Sequence, residues 1–484
     1  MLPWKSIITL NRNELRPVYL QVSDAIINEI MKGRISKGLK MPGSRTLAQA
    51  LEVNRKTILQ AYDELMAQGW MEIIPAKGTF IKASLPEIKQ QALGQSSMVQ
   101  TAKEPTPSKY EISRGEHVID DGTPDYRLAP IDLLLKTARS VSKGVIGKSV
   151  LLGNHYFGEA TLRKNLAKHL STTRAINGSS DNILITRGSQ MAIYLAFAQL
   201  VSPGDLVIVG ELNYHSADRA ITAVGGQLVK VPITHKGLDL QAIEKEVKKK
   251  SIKALYVTPH HQYPTTVTMP VEERMQLLAL AEQYNFYIVE DDYDYDYHYE
   301  RSPILPLASI DQNSRIIYIG SFSKILVPSI RIGYMYADST IIQSCGQRRM
   351  LIDKMGDPII ERALAELLAN NEIDRSLKKA VIAYQARRDL FCGLLRKGLK
   401  EEVSFEIPVG GMAVWVTFKN IKISALIASA QKHKLSLKID LYEHTQNACR
   451  LGFASMNLKE VATNTALLIA AIQKLLPHED SLSK

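Results

Sequence analysis

Between residues 84 and 112 the hydrophobic periodicity that orders the rest of this chain stops. Pro86, Gln90, Gln91, Gly94, Ser96, Ser97, Pro105, Pro107 and Ser108 crowd together there without an apolar face. Such a composition reads as a flexible linker, with a reach on the order of 30 Å for a coil of that length. It splits the 484 residues into pieces that must each bury a core, an expected head at 1–83 and a larger unit at 113–484. The length alone already exceeds one ordinary domain.

In the head, Pro17 is suited to open a helix, and Val22, Ile26 and Ile30 then recur every four residues. Gly33 and Gly38 mark a loop. Ser44 is the expected N-cap of a short helix carrying Leu47, Ala48 and Leu51, and Glu52-Val53 makes a turn. Asn54 caps a third helix whose inner face is Ile58, Ala61, Tyr62 and Leu65, and Gly69 stops it. Two short strands, 70–74 and 78–81, follow around Pro75-Ala76-Lys77. This order is that of a winged helix-turn-helix.

The outer face of the third helix offers Arg55, Lys56, Thr57 and Gln60 beside the Asn54 cap, and recognition helices read base edges from that end. Arg45 and the wing-tip Lys77 are placed for phosphate contacts. Residues 1–82 hold 12 Lys/Arg against 7 Asp/Glu, so this sixth of the chain carries +5 of the net +11. A polyanionic partner, double-stranded DNA, fits that charge.

Composition excludes several alternatives. Cys345, Cys392 and Cys449 are odd in number and far apart, which suits neither a disulfide framework nor a metal knuckle. Reduced thiols point to the cytoplasm. No stretch approaches the roughly 20 apolar residues that span a bilayer, so no membrane role is expected. His260, His261 and His298 form no recognisable metal set, and no metal is expected.

From about Ser113 short apolar strands alternate with helices. Residues 182–186, 206–209, 254–258, 287–290 and 316–319 read as buried strands, and 191–200 and 271–284 as helices. This is an α/β pattern with a mostly parallel sheet, expected over about 150–350. The remainder, about 351–484, reads as a smaller α+β part with helices near 359–368 and 377–395 and a strand near 414–418.

The chemistry concentrates around Ser321-Phe322-Ser323-Lys324. Asp291 ends a strand 33 residues earlier, Tyr293 follows it, and Arg331 comes seven residues after Lys324. One lysine, one carboxylate and one arginine so arranged suit a single cofactor, pyridoxal 5′-phosphate. The lysine forms a Schiff base, the carboxylate holds the pyridine nitrogen protonated, and the arginine fork takes the phosphate. Gly188-Ser189-Gln190, between a strand and a helix, suits the same phosphate. Tyr295, Tyr297 and Tyr299 are expected in a polar loop.

These residues carry a resemblance. The run Met41-Pro42-Gly43-Ser44-Arg45, Leu47-Ala48, Val53-Asn54-Arg55-Lys56-Thr57, Ala61-Tyr62, Leu65, Gly69 and Gly78-Thr79-Phe80 resembles the GntR-type winged helix. The remainder resembles a fold-type I aminotransferase, and the pair is similar to the MocR subfamily of bacterial regulators. The resemblance implies Lys324 as the Schiff-base lysine, Asp291 against the pyridine nitrogen and Tyr293 on the ring's phenolic oxygen. It implies Ser189, Gln190, Ser321 and Arg331 around the phosphate. Arg450 matches the arginine that binds a substrate carboxylate, and Arg219 a second pocket arginine. A homodimer on an operator with two half-sites is implied, with each head over the partner's large domain.

Two departures stand out. Asn213-Tyr214-His215 replaces the usual Pro-Gly-Tyr, and Thr266 stands where a glycine follows Pro-Thr, which is expected to alter the backbone. The leading expectation is a regulator that senses the cofactor or an amine or amino acid effector. A working aminotransferase with an accessory DNA-binding head is the alternative, and a plain DNA-binding dimer a third reading.

Overall fold

A computed structural model describes residues 3–12, 16–85, 117–153, 155–299, 304–442, 445 and 447–476. From residue 86 on, the linker expected over 84–112 lies outside the described residues. The chain divides into two compact units, Met1–Glu111 and Ile112–Lys484.

The first unit runs α1 (Trp4–Ile7), α2 (Val18–Met31), α3 (Ser44–Leu51) and α4 (Arg55–Ala67), then β1 (Met71–Ile74) and β2 (Gly78–Ile81). The strands pair antiparallel, Met71 opposite Ile81. Apolar residues at helical spacing build the core: Val22 and Ile26 from α2, Leu47 and Leu51 from α3, Ile58, Ala61 and Leu65 from α4. Asn54 caps α4, its Oδ1 accepting from the Lys56 N–H at 2.8 Å. Two helix starts differ from the sequence reading. Ser44 is the first helical residue of α3, with Gly43 at the cap, and Pro17 occupies the cap position of α2. α1 has no counterpart in that reading, because four residues show no period. Its Trp4 is nonetheless buried in the core.

In the second unit β3 (His117–Asp120) is followed by β4 (Ile183–Thr186), β5 (Leu206–Gly210) and β6 (Gln227–Val231). A two-residue hairpin pair, β7 (Ile233–Thr234) and β8 (Gly237–Leu238), precedes β9 (Ile252–Val257), β10 (Tyr287–Asp292), β11 (Ile316–Ser321) and β12 (Gly333–Tyr336). Seven of these make one sheet in the order β4-β12-β11-β10-β9-β5-β6. β11, β10, β9, β5 and β6 run parallel, and β12 lies antiparallel to both its neighbours. Their continuous apolar runs follow from burial on both faces by the intervening helices.

The smaller layer joins β13 (Val403–Ser404), β14 (Ala413–Phe418) and β16 (Ala448–Gly452) antiparallel, beside the 28-residue helix Glu372–Leu399. β15 (Leu435–Lys438) pairs parallel with β3. This layer therefore recruits a strand from the start of the unit as well as residues after 351.

Gly320 and Tyr334 face each other across β11 and β12, and a Cβ on Gly320 would lie 2.2 Å from the Tyr334 ring. Gly320→Ala is expected to destabilise the second unit by about 1–3 kcal/mol through overpacking. Chemical denaturation of the variant beside the parent checks this.

Candidate functional site

The parallel strands aim their carboxyl ends at one cavity, the place where open α/β sheets collect ligands. Its volume is about 160 Å³, and Asp121, Ser189, Tyr214, Tyr256, Thr258, Tyr263, Asp291, Tyr293, Lys324 and Arg450 line it. Of the residues expected from sequence, Lys324, Asp291, Tyr293, Ser189 and Arg450 are brought together here.

Lys324 lies just beyond the end of β11, its Nζ donating to the Gly122 carbonyl at 2.7 Å. Desolvation lowers its pKa, with Arg450 adding to the fall while Asp121 opposes it. The amine is thus easier to deprotonate than a surface lysine.

Asp291 and Asp292 are consecutive on β10 and point to opposite faces. Burial pushes the Asp291 carboxyl up to about 7, against a hydrogen bond from Tyr256 that lowers it. Tyr256 Oη donates to Asp291 Oδ2 at 2.7 Å, while Oδ1 is buried with no partner among the described residues. Burial would raise Asp292 too, but His260, Arg174 and Tyr318 outweigh it and hold that carboxyl at about 2.

Tyr293 donates its hydroxyl to the His261 carbonyl at 2.8 Å. Arg450, on β16, is 4 % exposed. Its Nε donates to the Asp121 main-chain oxygen at 2.8 Å and its Nη1 to the Pro264 oxygen at 3.3 Å. Burial would lower its pKa, but Tyr293, Asp294, Tyr263 and Asp121 more than offset this and keep it charged.

Ser189 is the first residue of the helix Ser189–Leu200, whose unpaired N–H groups suit an anion. Gly188 ahead of it has φ +76, and a Cβ there would strike the Arg331 guanidinium at 2.7 Å. Glycine is what lets Arg331 approach the helix start. Arg331 is exposed and donates to the Arg187 carbonyl at 3.0 Å. Ser321 Oγ accepts from the Ser323 N–H at 3.1 Å, and Gln190 Nε2 donates to the Ser216 carbonyl. Gln190, Ser321 and Arg331 thus stand around the strand–helix turn, outside the cavity lining.

Several expectations are corrected. Arg219 is exposed on the helix His215–Ala223, whose inner face is Ala217, Ala220 and Ile221, so it does not reach the cavity. Tyr295, Tyr297 and Tyr299 are buried, their hydroxyls donating to the carbonyls of Thr173, Lys324 and Gly411. A phenol can thus sit in a core once its hydroxyl finds a carbonyl. Thr266 has a φ of +62, in the left-handed region that favours glycine, so a β-branched residue stands there under strain. His260 and His261 are buried against Asp292 and Asp294. Tyr256, Thr258 and Asp121 in the cavity wall escaped the sequence reading. Tyr256 falls on an apolar strand, where a tyrosine is indistinguishable from core.

In the first unit Arg45, Asn54, Arg55, Lys56, Gln60 and Lys77 are exposed and Thr57 is half-buried. Arg55 Nε donates to Ser44 Oγ at 3.3 Å, tying the starts of α3 and α4.

Residues 122–463 match the family described as aminotransferase class I and II, and residues 18–81 match bacterial regulatory proteins, gntR family. The chain is 26% identical over 424 residues to the probable rhizopine catabolism regulatory protein MocR of Rhizobium meliloti, covering 85% of this chain and 84% of that one. It is 30% identical over 365 residues to aromatic-amino-acid aminotransferase 1 of Thermococcus litoralis, covering 73% and 87%. Among solved structures it resembles the kynurenine aminotransferase of Pyrococcus horikoshii, crystallised with PMP. There the TM-score is 0.69 and the identity 27%, over 74% of this chain and 91% of that one. No helix among the described residues is long and apolar enough to cross a membrane.

The raised Asp291 carboxyl gives a stability prediction for the ligand-free protein. Below pH 4 it is neutral both folded and unfolded. Between about 4 and 7 only the unfolded chain loses the proton, so stability falls as pH rises, and above 7 the loss is complete. The advantage of Asp291→Asn over the parent is therefore expected to grow from pH 4 to pH 7 and then level off, as read by urea denaturation across that range.

Proposed function

The chain belongs to the aminotransferase class I and II family and carries a gntR-family unit ahead of it, the architecture of the MocR regulators. On that premise we propose that it is a DNA-binding transcription regulator that holds pyridoxal 5′-phosphate at Lys324 and senses the cofactor or an amine-bearing effector. The observation that carries this reading is the cavity that joins Lys324, an unpartnered Asp291 oxygen and buried Arg450. The residues fit the cofactor. Asp291 Oδ1 is a buried acceptor awaiting a donor, as a protonated ring nitrogen is. The strand–helix turn at Gly188 and Ser189, with Arg331 against it, is a cradle that a Cβ would fill.

When bound, the cofactor supplies an amine-reactive carbonyl and an electron-accepting ring. Lys324 offers an amine with a lowered proton affinity. Asp291, steadied by Tyr256, accepts the ring N–H and favours its protonated form. Tyr293 would stand toward the ring's phenolic oxygen. Ser189, Gln190, Ser321 and Arg331 hold the phosphate, and the buried Ser323 Oγ, without a partner, is a further donor for it. Arg450 takes the carboxylate of an amino acid effector through its planar fork.

A ligand moves such a protein only through unequal affinity for two arrangements. The reading places two heads on a cytoplasmic homodimer, facing an operator with two half-sites, with Arg55, Lys56, Thr57 and Gln60 toward base edges and Arg45 and Lys77 toward phosphates. Transaminase turnover is the second reading, favoured by the joint presence of Lys324, Asp291 and Arg450 in one cavity. Steady consumption of an amino donor and an oxo-acid would establish it.

Lys324→Ala is expected to abolish the visible absorption band of the cofactor-loaded protein and its borohydride-fixed adduct. A band unchanged in that variant would sink the assignment. Arg55→Ala is expected to weaken DNA binding by about 1–3 kcal/mol and to leave the visible band intact. Gel-shift titration together with the absorption spectrum separates the two effects.

A further inference from the structure

Around the hydroxyl of Tyr263, a residue of the cavity lining, carboxylate acceptors outnumber the donors. The Tyr263 hydroxyl has a single proton, yet Asp121 Oδ2 lies 3.0 Å and Asp440 Oδ2 2.9 Å from it. Among the described residues Tyr263 is the only side chain that hydrogen-bonds either carboxylate, and neither makes an ion pair. Tyr442 Oη belongs to the same group. Its side chain is 7 % exposed, it lies near Asp440 and the Tyr263 hydroxyl, and it has no hydrogen-bond partner of good geometry among the described residues.

The same cavity holds the opposite imbalance. Arg450 is buried, and among the described residues no carboxylate reaches its guanidinium as an ion pair; its two acceptors are main-chain oxygens. Charge neutralisation alone would turn the Asp121 carboxylate toward Arg450. Instead the Asp121 main-chain oxygen meets the guanidinium, and the carboxylate turns to Tyr263. Asp121, Lys324 and Arg450 thus line one space, and Asp440, exposed, is joined to it through the Tyr263 hydroxyl, with no ion pair on Arg450, Asp121 or Asp440 among the described residues.

Building on the amine-sensing function, we infer that Asp121 and Asp440 form a subsite for a second cationic group, and that the effector is a diamino monocarboxylic acid. Arg450 takes its carboxylate, one amine lies beside Lys324, and the side-chain ammonium lies between the two aspartates. An ammonium brings three donors and no acceptor, which matches an acceptor-rich wall. A neutral side chain of equal length would bring no charge to the two carboxylates, and an acidic one would meet like charge.

The test titrates the full-length, cofactor-loaded protein with L-ornithine, L-norvaline and L-glutamate, following the visible band, with thermal melts alongside. Ornithine is expected to half-saturate at least tenfold below norvaline, about 1.4 kcal/mol, and glutamate to be weakest. Asp440→Asn is an exposed substitution, and Asp121→Asn changes the wall itself. Each is expected to remove most of the preference for ornithine over norvaline, while the melts report whether the variant folds. Equal response to ornithine and norvaline, or a preference that survives both substitutions, overturns the subsite and leaves amine sensing standing. A loaded protein whose band none of the three amino acids moves overturns amine sensing itself, and the subsite with it.

Discussion

The hydrogen bond from Tyr256 to Asp291 is the contact on which the site's chemistry rests. It reaches from β9 to its parallel neighbour β10, at the cavity wall. By fixing one carboxylate oxygen it leaves the other with a single defined direction. It also opposes the burial that drives the Asp291 carboxyl up, so ionisation remains within reach near neutral pH. Without a donor of this kind, a buried aspartate at the strand end would simply stay protonated. The alternation of β10 then lets Asp292, one residue on, serve a separate structural network with His260, Arg174 and Tyr318.

Burial acts on every charged group of the cavity, but the outcome differs with the neighbours. Lys324 loses proton affinity because burial and Arg450 act in the same direction. Arg450 keeps its charge because phenols and carboxylates surround it. A nucleophilic amine and a fixed cation therefore coexist in one small space. This is a division of labour set by environment rather than by residue type alone.

Much of this was legible in the sequence, for identifiable reasons. The head was readable because caps and apolar spacing agree: Asn54, Ile58, Ala61 and Leu65 fall where the structure has them. Lys324 and Asp291 were pointed to by strand ends and reactive residue types, and Arg450 by its match to a family motif; all three line the cavity. What escaped was whatever depends on distant partners. Tyr256 looks like sheet core until its hydroxyl is seen against Asp291. The tyrosines at 295, 297 and 299 look polar until Thr173, Lys324 and Gly411 offer them carbonyls. Arg219 looked like a pocket residue because its position along a helix, unlike its identity, is set by a face that Ala217 and Ile221 decide. Thr266 shows the converse: a residue that disfavours a left-handed backbone is held there, its N–H donating to the Gln262 carbonyl.

Lys324 and Arg331 both lie in the single connection between β11 and β12. Because β12 returns antiparallel beside β11, both ends of that connection are clamped to the sheet, and the amine and the guanidinium move as parts of one loop. A ligand held at both points is a chelated ligand. Release of one end leaves the other attached, so recapture competes with escape, and retention becomes a property of the hairpin rather than of either side chain. A site built this way lets the group at its amine end be exchanged while the anion end keeps hold.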